Sequence, residues 1–233
     1  MTDREKQLLL ECMRANIGDA THAEDHIFRV TSAARDIART EKGVDEEALF
    51  CACLLHDIGR GEQLADPSRP HAEVGAEKAR AFLIENGWSE AFAVRVSQII
   101  AAHSSREMAA GGGIEERILF DADKLDMIGS VGLCRAIAYA VQAGEPIYDA
   151  RDLAQKPSPD GGTMLREVEN DLAFASGAFF TRHAQTLARP ALQLTFAFLE
   201  NLRETMERGN AAWLDEDEAA DERPFSQRPG CGA

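Results

Sequence analysis

The sequence predicts an all-α fold, and three observations support this class. Apolar residues recur at helical spacing through almost all of the 233 residues. No series of alternating strands joined by hairpin turns is present. Hydrophobic residues make up 45% of the chain and charged residues 28%, which is typical of a packed core with a well-solvated surface. We expect a single domain over residues 1–208, followed by an acidic, disordered tail over residues 209–233.

The first three helices follow from their caps and apolar faces. Residues 3–16 form the first helix, and the second carries His26 with apolar residues along one face. Asp19 or Thr21 can cap this second helix. Asp45 caps the third, EEALFCACLLHDIG, whose nearly continuous hydrophobicity indicates a buried central helix.

The middle of the chain alternates helices with polar breaks. Residues 60–70 contain two prolines and indicate a surface loop. One helix then opens at His71, and the next ends at His103. The stretch MAAGGG at 108–113 predicts a flexible break.

The last part of the chain completes the predicted bundle. We expect residues 114–128 to be helical and the helix to continue toward Val141. Residues 144–162 are rich in proline and glycine, and they predict a long loop that can act as a lid. Two further helices, over 164–181 and 190–207, follow this loop.

Charge and hydropathy exclude several classes of partner. The net charge of -15 repels nucleic acid as a non-specific partner. No apolar run approaches the roughly 18 residues that span a bilayer, so no membrane partner is expected. The start, MTDREKQLLLEC, is too charged for a signal peptide, which predicts a cytoplasmic protein. The five cysteines are an odd number and lie mostly in apolar helical stretches, so they predict core packing rather than metal ligation or redox use.

Four side chains in three fragments predict a divalent-metal site. His26 lies in AEDHIFRV, His56 and Asp57 in LLHDIG, and Asp123 in DADKLDMIG. A His-Asp pair at the end of so apolar a helix would leave a costly buried carboxylate unless a positive group met it. A metal ion satisfies both residues, and the alternative is that Asp57 caps the helix or pairs with Arg60.

The DADKLD segment contains three aspartates within six residues, and apolar residues flank it on both sides. Asp123 is the predicted ligand. Asp121 and Asp126 lie on other faces, where they can pair with Lys124 or accept hydrogen bonds from ligating imidazoles. The alternative is that all three are surface acids.

The order His26, His56-Asp57, Asp123 resembles the H…HD…D signature of the HD superfamily of metal-dependent phosphohydrolases, over about residues 20–140. The later segment TRHAQTLARPALQLTFAFLENLRETME also resembles a bacterial subgroup of uncharacterised HD hydrolases. This resemblance implies an HD-domain helical bundle. It further implies that these four residues ligate a divalent ion, which orients water for attack on phosphorus. Manganese, magnesium, iron, cobalt and nickel all tolerate such mixed nitrogen and oxygen ligation.

His71 and His103 lie between the HD pair and Asp123 in the sequence. They resemble the additional histidines with which some superfamily members hold a second metal or bind phosphate. The alternative is that each merely occupies a helix end, at the N-terminus for His71 and the C-terminus for His103.

Two basic residues lie next to predicted ligands and are candidates for catalysis together with Asp57. Arg60 can hold a phosphate bidentately, or it can form a surface ion pair with Glu62 or Asp66. Lys124 can face the phosphate, or it can pair with Asp121.

The predicted function is hydrolysis of a phosphate ester or anhydride in a small, nucleotide-like metabolite by metal-bound water. Two alternatives remain open. One is a regulatory HD module that binds metal and nucleotide without turnover, and the other is a di-iron oxygenase. The sequence also leaves open a homodimer and the number of metal ions.

Overall fold

The computed structural model describes residues 1–17, 24–149, 152 and 162–220, and the secondary structure in these ranges is entirely helical. This confirms the predicted all-α class. The helices, in chain order, are α1 (Asp3–Asn16), α2 (Glu24–Ala38), α3 (Glu46–Leu55), α4 (Arg60–Ala65), α5 (His71–Glu85), α6 (Glu90–Ala102), α7 (Arg106–Gly111), α8 (Ile114–Leu125), α9 (Gly129–Ala143), α10 (Met164–Ala175) and α11 (Arg182–Ala220). Among them, none is both long enough and apolar enough to cross a lipid bilayer.

The central helix of the main core is α3, as its composition predicts. Asp45 caps it by accepting a hydrogen bond from the backbone N–H of Ala48, and α3 packs against α1, α2, α6 and α8. Cys51 and Cys53 are fully buried in this core, and burial raises the pKa of the Cys51 thiol to about 12. These two cysteines therefore pack as small hydrophobic residues.

Two glycines allow the end of α3 to approach α5 closely. A Cβ atom on Gly59 would lie 2.3 Å from the carbonyl oxygen of His71 and 2.6 Å from the amide nitrogen of Gly75. A Cβ atom on Gly75 would lie 3.1 Å from the carbonyl oxygen of His56. This contact fixes the turn after His56 and Asp57 against the first turn of α5.

A second apolar cluster joins α9, α10 and α11. Leu133, Leu165, Val168 and Leu199 are among its buried side chains. Because α9 also follows directly from α8, this cluster holds α10 beside the end of α8.

Two segments predicted as irregular are short helices. Within the predicted surface loop 60–70, residues Arg60–Ala65 form α4, and its Glu62 pairs with Lys78 of α5 at 2.7 Å. Within the predicted break 108–113, the chain is helical up to Gly111 because the side chain of Ser105 caps α7. In both cases a tertiary contact or a cap stabilises a turn that the local composition does not indicate.

The predicted continuous helix from residue 114 toward Val141 is interrupted. α8 ends at Leu125, and α9 begins at Gly129, whose φ of 71° is a conformation that glycine adopts readily. The amide of Gly129 donates to the hydroxyl of Thr195 on α11 at 2.8 Å, which fixes the break.

The last helices also differ from their predicted bounds. α10 ends at Ala175 rather than at residue 181, and α11 runs from Arg182 through Pro190 to Ala220. Residues 209–220 of the predicted disordered tail are therefore helical. The rest of the tail, most of the predicted lid at 144–162, and the predicted caps Asp19 and Thr21 lie outside the described residues.

Candidate metal centre

The end of α3 meets α2 and α8 at a buried cluster of predicted ligands. The Nε2 atom of His26 lies 3.6 Å from Oδ2 of Asp57 and 3.5 Å from Oδ1 of Asp123. The Nε2 atom of His56 lies 3.7 Å from the same Asp57 oxygen and 3.9 Å from the same Asp123 oxygen. All four side chains are at least 90% buried, so the structure brings together the four ligands that the sequence predicts.

The second carboxylate oxygen of Asp57 faces two further imidazoles. Its Oδ1 atom lies 3.6 Å from Nε2 of His71 and 3.7 Å from Nε2 of His103. Both rings are buried, although His71 begins α5 and His103 caps the end of α6. Asp57 therefore stands between two clusters of nitrogen and oxygen atoms.

Hydrogen bonds on the outer side of the rings fix which nitrogen faces the cluster. Nδ1 of His56 lies 2.8 Å from the carbonyl oxygen of Cys53, and Nδ1 of His103 lies 2.6 Å from that of Ile100. A carbonyl oxygen can only accept, so each Nδ1 must carry the proton. In the neutral ring, Nε2 then presents a lone pair to the cluster.

The lone pairs on the inward-facing Nε2 atoms would repel one another at these distances unless a cation lay between them. The Nε2 atoms of His26 and His56 are 3.4 Å apart, and those of His71 and His103 are 3.1 Å apart. Among the described residues, Oδ2 of Asp57 has no hydrogen-bond partner although it is buried. Converging lone pairs and an unsatisfied carboxylate are the arrangement that a cation would satisfy, so the residues fit a divalent ion.

Electrostatics keep these groups in the protonation states that bind metal. Burial lowers the pKa of His56 to about 4, and burial together with the Arg60 charge lowers the pKa of His71 to about 3. Burial alone would raise the pKa of Asp57, but His56, His103 and Arg60 outweigh it and hold the pKa well below its usual range. The imidazoles of His56 and His71 are therefore neutral and the Asp57 carboxylate is ionised at neutral pH.

The other two aspartates of the DADKLD segment have separate roles. Asp126 accepts from Nδ1 of His26 at 2.7 Å, and it also accepts from Arg29 and Arg135. Asp126 therefore orients a predicted ligand, as the sequence suggests. Asp121 does not pair with Lys124. It accepts instead from two backbone amides and a hydroxyl just before α11.

The predicted basic residues lie beside the cluster. Arg60 pairs with Asp57, as the alternative prediction for Asp57 has it, and Lys124 does not pair with Asp121. Nε of Arg60 donates to Oδ1 of Asp57 at 3.0 Å, so its partner is neither Glu62 nor Asp66. Nζ of Lys124 donates to Oδ2 of Asp123 at 2.7 Å.

Both basic residues line a cavity of about 330 Å³ that is also lined by Asp123. A larger cavity, of about 550 Å³, lies among α1, α2 and α3, and none of the predicted site residues lines it. Volume alone therefore does not mark the site.

Several cavity residues were not predicted from the sequence: Arg135, Tyr139, Glu167 and Asp171. They lie on α9 and α10, beyond Asp123, the last residue of the H…HD…D signature. Their only sequence signal is helical spacing, since Arg135 and Tyr139 are four residues apart, as are Glu167 and Asp171.

Comparison with known proteins agrees with this geometry. Residues 23–128 match the family model of the HD domain. The uncharacterised protein YpgQ of Bacillus subtilis is 31% identical over 131 residues, which cover 54% of this chain but only 61% of YpgQ. A crystal structure of YpgQ in complex with ADP has a TM-score of 0.65, with 22% identity over 87% of this chain and 95% of YpgQ.

Two other solved structures share the fold. A Lactobacillus plantarum protein has a TM-score of 0.73, with 22% identity over 89% of this chain and 99% of that protein. An HD-superfamily hydrolase of Bacillus thuringiensis has a TM-score of 0.63, with 26% identity over 90% of this chain and 100% of that protein. With the family-model match, these likenesses confirm the resemblance seen in the sequence. Residues 23–128 of this chain are therefore an HD domain, the domain that defines the HD superfamily.

Proposed function

We propose that this protein is a metal-dependent phosphohydrolase that cleaves a phosphate ester or anhydride in a small, nucleotide-like metabolite. The observation that carries the proposal is the convergence of two buried imidazoles and two carboxylates around the unsatisfied Oδ2 of Asp57. The HD-superfamily hydrolase among the structural neighbours supports hydrolysis, and the ADP complex of YpgQ supports a nucleotide ligand.

A divalent ion at this cluster would supply a Lewis acid that activates water and neutralises charge on the phosphoryl group. His26, His56, Asp57 and Asp123 would hold it. Several divalent metals bind such a mixture of nitrogen and oxygen donors, so the ligands alone do not determine which metal is bound.

The remaining residues bind and orient the substrate. Arg60 and Lys124 line the cavity next to Asp123, where their cationic groups can hold phosphoryl oxygens. This local positive charge is necessary because the chain as a whole carries a net charge of -15 and repels anions. Asp57, which Arg60 orients through its Oδ1 atom, positions the attacking water.

His71 and His103 form a second set of ligands together with Oδ1 of Asp57. Their inward nitrogens repeat the arrangement of the first set, at similar distances from the shared carboxylate. We assign to them either a second metal ion or a phosphate oxygen.

Metal analysis coupled to a substrate screen tests the proposal. The purified chain, loaded with Mn²⁺, is incubated with nucleotides and other phosphorylated metabolites, and released phosphate is measured. We expect turnover that EDTA abolishes and that Asp57→Asn lowers at least about a hundredfold. Asp36→Asn, which alters an exposed carboxylate on α2, is the matched control and should leave turnover unchanged. Activity that survives both EDTA and Asp57→Asn would contradict the proposal.

The same experiment separates the two alternatives. A regulatory module would bind Mn²⁺ and a nucleotide without releasing phosphate. A di-iron oxygenase would retain two redox-active irons per chain and show no phosphatase turnover.

A further inference from the structure

The cavity beside the candidate metal centre has an acidic wall that hydrolysis itself does not require. Asp171 and Glu167 lie one helical turn apart on α10, and both line this cavity. Neither side chain forms a hydrogen bond or ion pair with the part of the chain that the structure describes. Their carboxylate oxygens are therefore open to a ligand, unlike those of Asp126, which accept from His26, Arg29 and Arg135.

The cavity combines cationic and acidic side chains. Lys124 contacts the predicted ligand Asp123 directly, and its charge and that of Arg135 also act on Asp171. Glu167, one helical turn from Asp171, experiences the charge of Glu145. Cationic groups beside the predicted metal ligands and acidic groups on α10 therefore line one cavity.

Burial and the like charge of Glu167 raise the pKa of Asp171 to about 7, against the opposing charges of Lys124 and Arg135. A carboxyl group that titrates near neutral pH can accept a hydrogen bond and, when protonated, can also donate one.

The turn before α9 and α9 itself offer apolar surface at the same cavity. Met127 in the turn and Ala136 and Tyr139 on α9 line it, and Tyr139 is 48% exposed. A tyrosine ring left open to solvent in a cavity wall can pack against a planar base. Cationic, apolar and acceptor-rich surfaces thus lie within one cavity of about 330 Å³.

We propose that Asp171 and Glu167 determine specificity by accepting hydrogen bonds from hydroxyl or amino groups of a nucleoside whose phosphates lie at Arg60 and Lys124. This inference rests on the proposed function. A sugar hydroxyl or exocyclic amine has the donors that carboxylates bind, whereas a second phosphate or carboxylate at this wall would be repelled. The cavity therefore selects nucleoside phosphates over inorganic or doubly anionic phosphates.

Binding of ADP and of inorganic pyrophosphate, compared by calorimetry in the presence of Mn²⁺, tests this role. The intact chain should bind ADP more tightly than pyrophosphate. Asp171→Asn, Asp171→Ala and Glu167→Gln should each weaken ADP binding, by about tenfold for the alanine variant. The same variants should bind pyrophosphate equally or more tightly, because each removes a negative charge from the cavity.

The opposite directions distinguish recognition from a structural role. Glu85→Gln, which alters an exposed glutamate on α5, is the matched control and should change neither affinity. Equal weakening for both ligands, unchanged ADP affinity in all three variants, or a wild-type chain that does not prefer ADP would overturn the proposal. Thermal unfolding of each variant verifies that it is folded.

Hydrolysis is measured separately, as phosphate released from ATP and from tripolyphosphate by the wild-type chain with Mn²⁺. If ADP binding responds as expected but neither compound is hydrolysed, the specificity role stands and the proposed catalysis fails. If tripolyphosphate is hydrolysed and ADP is not preferred, the proposed catalysis stands and the specificity role fails.

Discussion

Replacing Asp126 by asparagine should weaken the metal centre without touching a predicted ligand. The Asp126 carboxylate is 7% exposed and accepts from Nδ1 of His26 at 2.7 Å. It also accepts from Nε of Arg29 at 2.6 Å and from Nη1 of Arg135 at 2.9 Å. Asparagine keeps the shape, but it loses the charge that pairs with both arginines and turns part of its acceptor surface into a donor.

Two effects of predictable size follow. Partners that orient ligating imidazoles are worth 10–100-fold in metal affinity, so we expect Mn²⁺ binding to weaken by about that factor. Hydrogen bonds to charged groups contribute roughly 1.5–3 kcal/mol, and the arginines are partly solvated. We therefore expect the free energy of unfolding to fall by about 2 kcal/mol, equivalent to about 4–8 °C in Tm.

Calorimetric Mn²⁺ titration and urea unfolding of the same preparations measure the two effects. Asp25→Asn is a close control, because Asp25 pairs with the same Arg29 at 2.6 Å but is exposed and does not contact His26. It should change the metal affinity by less than about twofold and the stability by no more than about 0.5 kcal/mol. If Asp126→Asn binds Mn²⁺ as tightly as the wild type, the imidazole of His26 is not oriented as we infer.

Three further predictions concern the same region. Because the pKa values of His56 and His71 are about 4 and 3, both rings are neutral well below pH 7. NMR titration of the metal-free chain should therefore show that neither ring is protonated between pH 8 and pH 6, and protonation of either ring in this range would contradict this. In urea unfolding, Gly59→Ala should lower the free energy of unfolding by at least about 2 kcal/mol. Gly61→Ala is the control and should not be destabilising, because nothing lies within 4 Å of its added Cβ atom. Equal effects of the two substitutions would refute the close approach of Gly59 to α5. Asp121→Ala should lower the free energy of unfolding by about 2–4 kcal/mol in the same assay, because it leaves buried donors without an acceptor. It should leave the metal content unchanged. A loss of metal from a folded Asp121→Ala variant would show that Asp121 belongs to the metal site.

The ligand set could be predicted because its residues conflict with their surroundings. His56 and Asp57 follow the apolar run LFCACLL, where a polar pair has no local partner, and that conflict points to a function. Helix caps are equally local signals, and Asp45 caps α3 as predicted.

The breaks in the fold depend on contacts that the local sequence does not contain. The interruption after Leu125 is fixed by a hydrogen bond from Gly129 to Thr195, 66 residues later. Nothing within the segment itself opposes a continuous helix strongly enough to reveal this break.

The wall of the cavity formed by α9 and α10 could not be predicted, because it too depends on contacts between helices. Asp171 is four residues from Glu167, a spacing that also describes an ordinary solvated helix face. Only the packing of α10 against α9 places these carboxylates beside Lys124. It is therefore the tertiary structure, and not the local sequence, that brings these residues to one cavity.

Anomalous diffraction from crystals of the protein soaked in Mn²⁺ locates any ion bound at the candidate metal centre. We expect a strong peak within bonding distance of Nε2 of His26 and His56 and of the carboxylates of Asp57 and Asp123. That peak should be absent from crystals of Asp57→Asn. Wild-type crystals with no peak at this cluster, or with peaks only at surface carboxylates, would show that these four residues do not form a metal centre.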